Sequence, residues 1–256
     1  MLSLIKSKRF LTSLLFAIFA FCASLAYNIT PLFQFKTEVL EEVIGKSLGD
    51  MLPVLISGSL FVFIITLFCY YIGDFLREKI HLGKNKIDKK GIIIAVCGVV
   101  IPAVLIGLID FLTYGTYDDG FFDIFYAVVN TSSSILYSGI VEEIWFRFAF
   151  LPIMIFVMYN VFNKEDKNDK IDKKYYLYGL IFSVLFLYVF QFTTIFRMEY
   201  FTLALFLRTL LVYLIPNFVY SVLYLKYNLK VSILAHSAFL LLHVGVVPYI
   251  LSFFIL

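Results

Sequence analysis

Glu142-Glu143-Ile144-Trp145-Phe146-Arg147 places two carboxylates and a guanidinium inside a stretch, 121–162, where almost every other residue is hydrophobic or small. A charge near the centre of a bilayer costs about 2.5–3.5 kcal/mol on insertion scales, so intramembrane ionisable groups are functional candidates by default. Glu143 and Arg147 are four residues apart, share a helix face and can pair along one turn. Glu142 is rotated by about 100° from Glu143 and lies off that face. It keeps no local counter-charge, which makes it the candidate general base. The plainer alternative is that all three charges fasten helices together or sit at the membrane edge.

His236 opens a second cluster. It stands one or two turns into the last apolar block, and His243 follows seven residues later on the same helix face. Along the axis that separation is about 10 Å. Two imidazoles on one face, with carboxylates in another block, predict a polar internal cavity. Asp110, Gln191, Arg208 and Asn217 are further polar groups within apolar blocks that could line it. Each reads more readily as a structural hydrogen-bonding residue than as a catalytic one.

The elements that must position these groups are written in the composition. The chain has 256 residues, 62% hydrophobic and only 15% charged, against roughly 45–50% and 25% in soluble domains. Its apolar blocks reach the roughly 20 residues that cross about 30 Å of hydrocarbon. They fall near 10–27, 51–73, 91–113, 121–162, 175–196, 201–225 and 231–256. The expectation is an all-α polytopic membrane protein, one bundle of seven or eight transmembrane helices. Residues 1–120 supply N-terminal spans and 121–256 the core that carries the site. Block 121–162 is too long for one ordinary span, and Pro152 offers a break. Crossing once, it gives seven spans; crossing twice, eight.

Lysine-rich connections such as Lys84-Asn85-Lys86-Ile87-Asp88-Lys89-Lys90 read as cytoplasmic topology signals. Asp118, Asp119 and Asp123, with no base nearby, read as an outer loop. The net charge of +3 carries no nucleic-acid signal, because the aromatics lie inside the spans rather than beside the basic residues. Lys6, Lys8 and Arg9 before the first block resemble a signal peptide, but with so many later spans an uncleaved first helix is expected. Cys22, Cys69 and Cys97 sit in apolar blocks without paired spacing and are expected to be buried free thiols.

These residues resemble the CPBP intramembrane proteases, the CAAX-protease and bacteriocin-processing or Abi family. Three motifs mark that family: EExxxR, FxxxH, and HxxxN or HxxxB, each in its own transmembrane helix. Glu142 to Arg147 match the first in full, and Tyr220 through His236 look like the approach to the third, with His236 as its histidine. The resemblance covers roughly residues 121–245. It implies an intramembrane endopeptidase in which Glu142 activates a water to attack a peptide carbonyl. The motif histidines and asparagine would orient that water and stabilise the oxyanion, while Glu143 and Arg147 support the site. The substrate implied is a membrane-associated protein or peptide, and the setting a bacterial plasma membrane, with roles such as bacteriocin self-immunity or peptide processing. Zinc is left open as a cofactor, although the HExxH spacing of soluble zinc proteases is absent.

The pattern departs from the family in two places. In the second-motif helix, Phe186 plus four is Phe190, no histidine occurs between His81 and His236, and Gln191 is the nearest polar substitute. In the third motif, position 240 is Leu. Three readings follow: a protease with a divergent site using Glu142, His236 and either His243 or Gln191; a catalytically impaired pseudo-protease that binds membrane partners; and an unrelated transporter or channel. The last predicts paired, Gly/Pro-interrupted spans in two matching halves, and the sequence shows no such symmetry.

Overall fold

A computed structural model describes residues 8–29, 52–53, 56–64, 66–68, 86–114, 124–162, 171–195 and 203–252. Every regular element among them is helical. In chain order they include α1 (Lys8–Ile29), α2 (Lys89–Tyr114), α3 (Ile124–Ser134), α4 (Leu151–Phe162), α5 (Lys173–Ile195), α6 (Leu203–Thr209), α7 (Ile215–Lys226), α8 (Leu229–Leu240) and α9 (Val247–Ser252). A shorter apolar helix covers Ile56–Phe68. Four stretches, Phe10–Tyr27, Lys89–Ile109, Phe206–Lys226 and Leu229–Ile250, are long and apolar enough to cross a membrane.

π-helical segments join several of these helices without interrupting them. Ile135–Glu142 and Ile144–Phe150 lie between α3 and α4, Leu210–Leu214 between α6 and α7, and Leu241–Val246 between α8 and α9. The sequence explains three of the four. Pro152, Pro216 and Pro248 each follow a residue whose N–H bonds five positions back: Leu151 to Phe146, Ile215 to Leu210, and Val247 to Leu242. Proline lacks an N–H and its ring clashes with the carbonyl four residues earlier. Widening the ladder just ahead of the ring accommodates both, and such bulges gather at functional sites. Pro152 therefore does not break block 121–162, which runs as continuous helix from Ile124 to Phe162.

The polarity is distributed inside out. Leu15 and Ile18 of α1, Ile93, Val96 and Ile101 of α2, and Leu185 and Val189 of α5 are exposed, whereas Glu143, Arg147 and Ser232 are buried. Cys22 and Cys97 are free thiols on this exposed apolar surface, which corrects the expectation that they are buried. Cys69, the loop residues outside the ranges above, and the side chains of Asp110 and Gln191 lie outside the described residues.

Close helix contacts depend on small residues, as expected where apolar surroundings give helices little reason to associate other than packing. A Cβ on Gly179 of α5 would stand 2.7 Å from the backbone nitrogen of Ile155 in α4. A Cβ on Gly139 would stand 2.7 Å from Oγ of Ser237, so Gly139 brings the first π segment against α8.

Helices α7 and α8 form a tight hairpin. Only Tyr227 and Asn228 connect them, and the Asn228 side chain accepts from the Val231 N–H at 3.1 Å, capping α8. Asp88 holds the same corner to α2. Its Oδ1 accepts from the Gly91 N–H at 2.7 Å and from the Tyr227 hydroxyl, and Lys226 lies 3.8 Å from Oδ2. The Tyr227 hydroxyl and the Gly91 N–H hold the Asp88 carboxyl below its usual range. A depressed carboxyl adds stability above its unfolded value, about pH 4, and loses it as pH falls through the folded one. Thermal unfolding in detergent should therefore show Asp88→Ala less stable than wild type at pH 7, with the gap closing below pH 4.

Candidate functional site

The π segments and the α7–α8 hairpin bring the charged residues together. Glu143 is 0% and Arg147 1% exposed, and an apolar interior tolerates such groups only when they are paired and hydrogen-bonded. Arg147 Nη1 lies 3.4 Å from Glu143 Oε1, the pair that the i,i+4 spacing anticipates. Arg147 Nη2 reaches into α7, donating to the Asn217 carbonyl at 3.1 Å and to Asn217 Oδ1 at 2.5 Å.

Two donors come to Glu143 from α8. The Ser232 hydroxyl donates to Oε2, and His236 Nδ1 lies 2.9 Å from Oε1. An ionised carboxylate only accepts, so this contact assigns the imidazole proton to Nδ1 and leaves Nε2 open to a cavity occupant. Stacking fixes the ring plane as well: Tyr220 lies over His236 with centroids 4.6 Å apart and planes 22° apart. Replacing His236 by Phe keeps an aromatic on Tyr220 but withdraws a donor from buried Glu143. The expected cost is about 1–3 kcal/mol, read from unfolding in micelles titrated with a denaturing detergent.

The direct partner of His236 is thus Glu143 rather than Glu142. Glu142 turns instead into a cavity of 280 Å³ whose lining also includes Ser138, Asn217, Tyr220, His236, Leu240 and His243. Such a volume is far above the roughly 10–15 Å³ that one water requires. Ser138, one turn before Glu142, lines the cavity beside it. His243 faces the same cavity, its ring stacked on Phe239 at 5.3 Å. Leu240, at the position where the third motif carries a polar residue, is buried and also lines it. Arg208 is not among the lining residues.

Sequence reasoning left three contributors without a role. Ser138 and Ser232 stand four residues before Glu142 and His236, a same-face spacing that could have flagged both. Tyr27 brings α1 to the cavity wall, and nothing in its neighbourhood signals this. A larger groove of 380 Å³ between α3 and the end of the chain is lined by residues such as Val128, Ile135, Leu241 and Tyr249. Its lining carries no carboxylate, imidazole or amine, so the polar cavity is the candidate site.

The donor set does not fit a metal. Among the described residues no cluster of three or more His, Cys, Asp or Glu could hold one. Compared with family models, curated proteins and solved structures, the chain matches none.

Proposed function

We propose that the chain is an intramembrane endopeptidase of the CPBP type, hydrolysing a peptide bond of a membrane-associated protein or peptide. One observation carries the reading: Glu142, from the first-motif helix, and His236, from α8, line a single polar cavity. Glu142 takes a proton from water as the water oxygen bonds to the peptide carbonyl carbon. The tetrahedral intermediate then collapses, the C–N bond breaks, and that proton passes to the leaving amine nitrogen. His236, oriented through Nδ1 by Glu143, presents Nε2 to the same space and positions the water.

The proposal includes the setting. Four helices are long and apolar enough to span a bilayer, and the unbroken helix from Ile124 to Phe162 favours one crossing for that block. We place seven spans in a bacterial plasma membrane, with residues 121–256 as the peptidase core.

A second reading draws on Phe190 and Leu240, which stand where the family carries polar residues. With those donors missing, the same cavity would bind a membrane partner without cutting it. Cleavage of internally quenched decapeptides in detergent by wild type and Glu142→Gln separates the two. Loss of cleavage in the variant supports the peptidase, and equal cleavage by both removes it.

A further inference from the structure

We propose that Asn217 is a catalytic residue of this cavity, donating an amide N–H to the carbonyl oxygen under attack; the assignment rests on the peptidase reading above. The chemistry of its neighbours fixes how the amide points. A guanidinium only donates, so the Asn217 atom 2.5 Å from Arg147 Nη2 is the oxygen. A backbone carbonyl only accepts, so the atom 2.6 Å from the Tyr213 carbonyl is the nitrogen. Flipping the amide would set donor against donor and acceptor against acceptor.

The nitrogen carries two hydrogens. One goes to Tyr213, and the other has no partner among the described residues. Asn217 lines the cavity with Glu142 and His236 but comes from a different helix than either. A base on one wall and a fixed neutral donor on another suit a reaction in which water is deprotonated while negative charge builds on an oxygen. As water adds, the carbonyl π electrons move onto that oxygen, the Asn217 N–H holds it, and the charge returns to carbon when the amine leaves. Preorganised donors of this kind stabilise the transition state more than the ground state. Asn217 thereby offers a donor where Leu240 cannot, and one whose charge does not change with pH.

Arg147 also uses Asn217 as an anchor, so the test must separate anchoring from donation. Asn217→Asp keeps the acceptor facing Arg147 and removes both N–H groups. Asn217→Ala removes the donor and the Oδ1 anchor together without adding charge, so if the aspartate variant fails to fold, a folded alanine variant that keeps kcat overturns the assignment. With a library of internally quenched decapeptides in micelles, Asn217→Asp should lower kcat by about 10²–10³-fold with KM changed only a few-fold. Because a carboxylate oxygen then faces the Tyr213 carbonyl, its thermal unfolding temperature should fall, so kcat is compared on folded protein. If Glu142→Gln abolishes cleavage while a folded Asn217 variant keeps kcat within twofold, the donor assignment is overturned and the peptidase reading stands. If Glu142→Gln cleaves as wild type does, or wild type cleaves nothing in the library, the peptidase reading is overturned and the assignment goes with it.

Discussion

Arg147→Met should destabilise the protein by about 3–5 kcal/mol, the usual consequence of removing one partner from a buried ion pair. The loss comes from both ends of the arginine. Glu143, fully buried, keeps Ser232 and His236 as donors but loses its counter-charge. Asn217 of α7 loses the group that fastens it to the first-motif helix. The guanidinium also lies 5.6 Å from the centroid of the Tyr220 ring, so the cation–π contact disappears too. Adding Glu143→Gln should recover a large part of the deficit, because the uncompensated charge is then gone. A double-mutant cycle by reversible unfolding in mixed micelles checks this, with an expected coupling of about 0.5–3 kcal/mol. Additive losses would mean that the two residues do not act as a pair.

How much of this was legible in the sequence depends on the length scale of each contact. The Glu143–Arg147 pair lies within one turn, and spacing alone predicted it. Helices and their approximate extents followed from apolar block length, and the shared cavity followed from His236 and His243 on one face. Which of two adjacent carboxylates meets His236 could not be read the same way. That choice depends on the azimuth of the first-motif helix against α8. The azimuth is set by the π-helical ladder around residues 135–150 and by the close approach at Gly139. An α-helical wheel assumes a period that these residues do not keep. Pro152 misled in a related way: it reads as a break, yet a widened turn absorbs it. Asn217 was visible as a polar residue, but its link to Arg147 spans 70 positions and no local pattern encodes it.

Two neighbouring glutamates are thereby given opposite duties. Glu143 is fully buried and held by three side chains, so it orients and stabilises, whereas Glu142 faces the cavity, where the proposed hydrolysis needs its base. Glutamine at 142 cannot take a proton from water but fills nearly the same volume. A positioned general base contributes about 10²–10⁴-fold, so cleavage should fall by that factor while the fold is kept. Glutamine at 143 removes a buried charge that Arg147 and His236 depend on, and the unfolding temperature should fall. The measurement that separates them is cleavage rate and thermal unfolding recorded side by side for Glu142→Gln and Glu143→Gln in one detergent. The account predicts an unchanged unfolding temperature with cleavage lost for Glu142→Gln, and a lowered unfolding temperature for Glu143→Gln. Wild-type cleavage by Glu142→Gln would contradict it.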